Sequence, residues 1–234
     1  MGHAERRNHE HRALLLGLRV AVDVQHLWKP PPHHLDRGSR YTLGNGIHWN
    51  EADAALLYAA ALVSGLRRRG ARVLTNAGGG NGPAPDPKLI GYYTGRNLAA
   101  VLWGVHAYLA CHVNSAGGAY ALTEHLGPGE QLAERIVNRL VLDFPALGRS
   151  EVRTLRAGER GAICIDHCGA SVAAVILEPF FGDTPIHQAM LSAPRLARLG
   201  ESIAVAVSDW WLTKRAPRMP QDETLTSPPT PDLG

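Results

Sequence analysis

The chain has 234 residues, room for one generous domain or one domain with tails. Hydrophobic residues at 45% and charged residues at 19% describe a globular protein with enough apolar mass for a core. A formal charge of +3 and a pI near 8.9 are too weakly basic to imply nucleic acid, but they suit an anionic polymer.

Three cysteines, an odd and small number, argue against a disulfide scaffold. Twelve histidines make a metal site worth seeking. The start "MGHAERRNHEHRALLLGLRVAV" has no small-residue cleavage site, so no secretory signal is expected. No run approaches the roughly 18 apolar residues of a membrane span, so stable membrane insertion is not expected either.

In chain order, residues 1–16 are a polar, His- and Arg-rich arm, and the domain itself is expected over 17–214. "LRVAVDV" (18–24) is β-branched and apolar, as a buried strand should be. "KPPPHHLDRGSRYTLGNG" (29–46) is a loop by composition. Residues 50–70 predict a strong helix: Asn50 can cap it, Glu51 and Asp53 lie where the dipole favours anions, arginines crowd the last turn, and Gly70 stops it. "ARVLTN" (71–76) is the next strand. Helix is predicted over 93–104, 128–144 and 194–213, and strand over 106–113 and 119–125. Residues 145–170 hold one or two short strands and loops, and "SVAAVILEPFF" (171–181) is the central-strand candidate. Residues 215–234 are a Pro-rich polar tail. Strand–loop–helix–strand order implies right-handed crossovers and an α/β domain, a mostly parallel twisted sheet with helices on both faces.

In such sheets ligands bind outside the carboxyl ends of the strands. The first strand leads through Asp23 to His26. Residues 106–113 bring His112, and the late apolar strand ends at Glu178. Glu51 opens the long helix. Two imidazoles and one carboxylate make a catalytic zinc set with a fourth position left for water, and a further carboxylate can take that water's proton. Each residue also has a plain structural reading: a hydrogen-bonded histidine at a strand, a dipole-facing glutamate in a first turn. Glu178 resists this most, because a carboxylate directly after "VAAVIL" is costly to desolvate unless paired. "CIDHC" (164–168) gathers Cys164, His167 and Cys168, yet lacks a second ligand knuckle, so a structural role is expected there. "PPHH" (31–34) reads as a solvated loop pair.

Together these stretches resemble the zinc-dependent N-acetylmuramoyl-L-alanine amidases of the Amidase_3 type, the peptidoglycan amidases of bacteria and phage endolysins. "VAVDVQH" is similar to the family's Asp-x-Gly-His strand end. "NEADAALLYAAALVSGLRRRGARVLTN" is similar to its Glu-led helix and following strand, and Arg96 stands sixteen residues before His112 as in the family pattern. "ACHVNSAGGAYAL" resembles the Ser-x-His-x-Asn end, and "AAVILEPFFGDTP" the late strand ending in Glu. The likeness covers roughly residues 18–213. It implies one zinc per chain on His26, Glu51 and His112, Glu178 as general base, and hydrolysis of the amide joining N-acetylmuramic acid to L-alanine. It also implies Asn114 and Arg96 as substrate-facing residues, peptidoglycan as partner, and a monomeric phage endolysin made in the host cytoplasm; Trp28, in the stretch that departs from the family, is expected to supply a sugar- or peptide-facing surface of this chain's own. The chain departs from the family where Gly-His-Gly-Gly becomes "VQHLWK" and where Asp183 or Thr184 stands near the expected Asn. The alternatives are another zinc hydrolase, a carboxypeptidase or N-acyl amino-acid deacylase, and a non-catalytic cell-wall-binding module.

Overall fold

A computed structural model describes residues 14–27, 37–78, 86–159 and 161–215. Eight strands and five helices occur among them. The strands are β1 (Arg19–Val24), β2 (Arg40–Thr42), β3 (His48–Asn50), β4 (Arg72–Thr75), β5 (Ala107–Cys111), β6 (Tyr120–Leu126), β7 (Arg149–Thr154) and β8 (Ala173–Glu178). The helices are α1 (Glu51–Arg68), α2 (Tyr93–Trp103), α3 (Glu130–Asp143), α4 (Pro185–Gln188) and α5 (Ala193–Arg215). Six strands form one sheet in the order β4-β1-β5-β8-β6-β7. The first four run parallel, and β6 lies antiparallel to β8 while pairing parallel with β7. The expected α/β architecture is present, with one antiparallel junction inside a mostly parallel sheet.

The alternation of side chains across each strand divides the core in two. Val20, Val22, Val24, Leu109, Cys111, Val175 and Leu177 project to one face and pack with buried residues of α1, α3 and α5. Ala21, Tyr108, Ala110 and Ile176 project to the other and meet Ala100 of α2 and the segment 162–168. Both faces are therefore dry, which is why these strands read as continuous apolar runs. The helices α1 and α5 cross closely: a Cβ on Gly200 would sit 2.0 Å from the Tyr58 carbonyl oxygen, so only glycine fits there.

The helix over 51–68 has the predicted cap. The Asn50 side chain accepts the Asp53 N–H, and Gly70, at φ 95°, turns the chain out after it. Two expectations shift. Leu15 is fully buried and donates its N–H to the Arg69 carbonyl, so the core begins inside the stretch assigned to the N-terminal arm. The segment expected as loop over 29–46 contains β2, which forms an antiparallel hairpin with β3. Its turn includes Asn45 and Gly46, the latter at φ 79°, a hairpin signal that was present in the sequence. Buried Tyr41 ties this hairpin to the main sheet through a 2.8 Å hydrogen bond to the Val113 carbonyl. No described helix is long and apolar enough to cross a membrane.

Candidate metal centre and active-site groove

Three segments deliver three ligand atoms to one point at the carboxyl edge of the sheet. His26 follows β1 and takes the left-handed backbone conformation, φ 58°. For a residue with a Cβ this costs about 1–2 kcal/mol. Where the resemblance leads one to expect glycines around the histidine, the histidine itself makes the turn. Glu51 is the first residue of α1, fixed by the adjoining cap. Its carboxylate accepts the Ser39 N–H at 3.1 Å. His112 stands directly after β5. Its N–H donates to the Leu177 carbonyl at 2.9 Å, and its carbonyl accepts the Tyr58 hydroxyl at 2.8 Å.

The resulting distances are short. His26 Nε2 lies 3.5 Å and His112 Nδ1 2.6 Å from Glu51 Oε1. The two imidazole rings meet edge to face with centroids 5.3 Å apart. One ligand atom from each of the three residues falls within 4.8 Å of the others. Zinc ligands at about 2.0–2.2 Å from the ion stand roughly 3–4 Å from one another, so this donor set has the chemistry to hold Zn²⁺ once the 2.6 Å His112–Glu51 hydrogen bond opens by a few tenths of an ångström.

Without a cation, the carboxylate and the imidazoles compensate each other. Burial works to raise the Glu51 pKa, but His112, His26 and the Ser39 N–H outweigh it and hold the group below its ordinary value. Burial likewise works against a charged His112, yet contacts with Cys164 and Glu51 hold its imidazolium well above the usual histidine range. Glu178 behaves oppositely. It ends β8, whose Leu177 pairs with Cys111, so it stands beside His112. Burial, with the neighbouring Glu124 and Glu51 charges, pushes its pKa up to about 7 despite the pull of His112 and Arg153. All four residues line one open groove of about 850 Å³, within the ordinary range for a ligand site.

The other sequence-predicted residues separate. Asn114 lines the groove, and its Oδ1 accepts the Ser115 N–H at 2.7 Å. Trp28 lies outside the described residues. Arg96, expected to face substrate, is 1% exposed and lies beneath the site instead. Its guanidinium donates to Asp23 Oδ1 at 2.6 Å. The Asp23 carboxylate, fully buried, also accepts from Asn76, Gln25 and the Tyr108 hydroxyl. This network braces the turn that carries His26. Asp183 accepts the Ala116 and Gly117 N–H groups, and so steadies the turn after Asn114.

The "CIDHC" segment does not act as one metal knuckle. Cys168 is buried in the second core cluster, whereas Cys164 lines the groove with Sγ 3.6 Å from His112 Nε2. Cys111 faces the opposite core, as strand alternation requires. Three groove features were missed in the sequence: the Gly38-Ser39 clamp on Glu51, Glu124, and Arg153. Glu124, a carboxylate inside the strand "YALTEHL", could have been flagged by the reasoning applied to Glu178.

Fold and site together define an α/β domain with a His-Glu-His donor set and an adjacent carboxylate in an open groove. Its fold is that of solved N-acetylmuramoyl-L-alanine amidases. The enzyme from Clostridium difficile 630 superposes with a TM-score of 0.62 at 15% identity, over 87% of this chain and 99% of that one. Ami1, the N-acetylmuramyl-L-alanine amidase from Mycobacterium smegmatis, gives 0.61 at 12% identity, over 86% and 99%. Cwp6 from Clostridium difficile gives 0.62 at 19% identity; the match covers 82% of this chain but 29% of Cwp6. No family model matches the sequence, and comparison with curated proteins gives no match.

Proposed function

We propose that the chain is a zinc-dependent N-acetylmuramoyl-L-alanine amidase that cleaves the amide between the lactyl group of N-acetylmuramic acid and L-alanine in peptidoglycan. The observation that carries this reading is the meeting of His26, Glu51, His112 and Glu178 in one groove, on a fold shared with solved amidases. Zinc held by His26, Glu51 and His112 would supply Lewis-acid polarisation of the scissile carbonyl.

The chain's own groups do the proton work. Glu178 accepts a proton from the attacking water as its oxygen bonds to the carbonyl carbon. It returns that proton to the departing nitrogen as the C–N bond breaks, leaving a carboxylic acid and a free amine. A carboxyl group beside the site, partly buried at the end of β8, can serve both halves of this exchange. Ser39 keeps Glu51 aimed at the two histidines, and the buried Asp23–Arg96 pair keeps the His26 turn in place. Asn114 offers a side-chain amide at the rim for the substrate's peptide or acetamido groups.

Mass spectrometry of digested peptidoglycan tests the reaction. New L-alanine amino termini support it, whereas new reducing sugar ends, or cleavage of N-acyl amino acids alone, would sink it. Glu178→Gln should keep zinc and lose turnover by about 10²–10⁴-fold, and His112→Ala should lose zinc. An active Glu178→Gln variant would remove Glu178 from its role. The biological setting we propose is phage-driven host lysis by a monomer made in the host cytoplasm, supported by the sequence resemblance. Lysis of host cells on co-expression with a membrane-permeabilising protein tests it, and intact cells would overturn it.

A further inference from the structure

Among the described residues that line the groove, Arg153 is the only lysine or arginine, facing the acidic groups Glu51, Glu124 and Glu178. Strand register explains its place. Leu122 of β6 pairs with Glu178 of β8, and Glu124 pairs with Arg153 of β7. Leu122 and Glu124 are two residues apart, so all four side chains project from the same face of the sheet.

Glu124 is 3% exposed, and its carboxylate forms an ion pair with the Arg153 guanidinium. The Arg153 side chain remains 49% exposed. A buried carboxylate inside a strand is costly, and the proton chemistry assigned to Glu178 does not need it. It does one evident thing: it fixes one side of a guanidinium that lines the groove and stays half exposed there. A guanidinium so oriented matches a carboxylate in geometry as well as charge. Its charge is also felt at Glu178, so the two belong to one electrostatic site.

The spacing limits what the anion can be. β7 lies two strands from β8, roughly 9–10 Å between backbones. An extended peptide covers at most about 3.3–3.6 Å per residue. A carboxylate that reaches Arg153 while the scissile amide lies at Glu178 therefore sits within the first few residues of the chain. On the glycan side the lactyl carboxyl is consumed in the amide bond. On the peptide side the first free carboxylate is the α-carboxyl of residue two, when that residue is glutamate linked onward through its γ-carboxyl. We propose that Arg153, held by Glu124, recognises this carboxylate, so that the groove selects acidic peptide stems over stems amidated at residue two. The inference rests on the amidase reading above.

The test uses zinc-loaded protein and two synthetic substrates, N-acetylmuramoyl-L-alanyl-γ-D-glutamyl-L-lysine amide and its D-isoglutaminyl counterpart, in which the γ-carboxyl is consumed in the peptide bond and the only difference is carboxylate against carboxamide at residue two. Wild type should favour the acid by about 10-fold or more in kcat/KM, the scale of one charge-assisted hydrogen bond. Arg153→Gln alone strands a buried carboxylate, so the working variant is the double Glu124→Gln/Arg153→Gln. Its ratio between the two substrates should fall to near one, and a general loss of activity cancels in that ratio. Equal cleavage by wild type, or a preference that survives in the double variant, overturns the role of Arg153. If wild type cleaves neither substrate, the amidase reading falls, and calorimetric binding of the same two compounds decides the rest. Tighter binding of the acid that the double variant loses upholds carboxylate recognition, and equal or absent binding overturns it.

Discussion

Replacing Arg96 by methionine should reveal how far the buried pair under the site supports both fold and metal binding. The substitution keeps volume but removes the guanidinium from Asp23, which is fully buried. Tyr108, Gln25 and Asn76 still donate to the carboxylate, but no positive charge remains beside it. Removing one partner of a buried ion pair costs about 3–5 kcal/mol, which for a domain of this size lowers Tm by about 6–20 °C. The loss depends on pH in a defined direction. Burial already raises the Asp23 pKa, and the Arg96 charge offsets part of that rise. Without Arg96 the folded pKa climbs further above the unfolded value of about 3.9. The folded state then holds the extra proton, so stability falls as pH rises through the widened window. Urea unfolding at pH 5 and pH 8 should show a larger deficit against wild type at pH 8, and Asp23→Asn in the same background should recover part of it. Gln25, which accepts a long hydrogen bond from Arg96, adjoins His26, so zinc affinity measured by chelator competition should drop by about 10–100-fold. A variant within about 1 kcal/mol of wild type at pH 8, with unchanged zinc affinity, would refute the bracing role.

Zinc binding should release about one proton at pH 7, because His112 is held protonated in the metal-free site and must give up that proton to ligate. Calorimetry in buffers of differing ionisation enthalpy counts it, and zero release would mean that His112 is already neutral. For the same reason apparent zinc affinity should rise with pH until His112 titrates. Gly38→Ala should weaken zinc binding without unfolding the core: Gly38 has φ 75°, and an added Cβ would lie 2.4 Å from Glu51 Oε2. The hairpin or the carboxylate must then move. Wild-type affinity would show that the hairpin yields at no cost to Glu51.

The four chemical groups of the site were legible because each stands at a boundary where local pattern changes. His112 and Glu178 terminate apolar runs, and Glu51 begins a capped helix, so an α/β chain order alone sends them to one edge. Arg96 was misplaced for an equally physical reason. Helical spacing assigns a residue to a face, but it does not say whether the charge there meets solvent, substrate or a buried aspartate. Asp23 looked like part of a strand end, and only the packing of α2 against β1 shows that it is the partner.

By itself the sequence determined the long helices, the strands of the main sheet, the parallel crossovers and the residues with ligand chemistry, because these depend on side-chain periodicity, caps and turns within a few residues. Tertiary structure decided what depends on register between distant strands. The return of β6 antiparallel to β8 set Glu124 and Arg153 on the face that carries Glu178. Gly38 and Ser39, directly before the hairpin over 40–50, clamped Glu51 from a segment that composition marks only as loop. Cys164 reached His112 across 52 residues of chain. The placing of Glu124 and Arg153 follows from how β-strands pair and which faces they bury, and a one-residue change of register would have sent both side chains to the opposite side of the sheet.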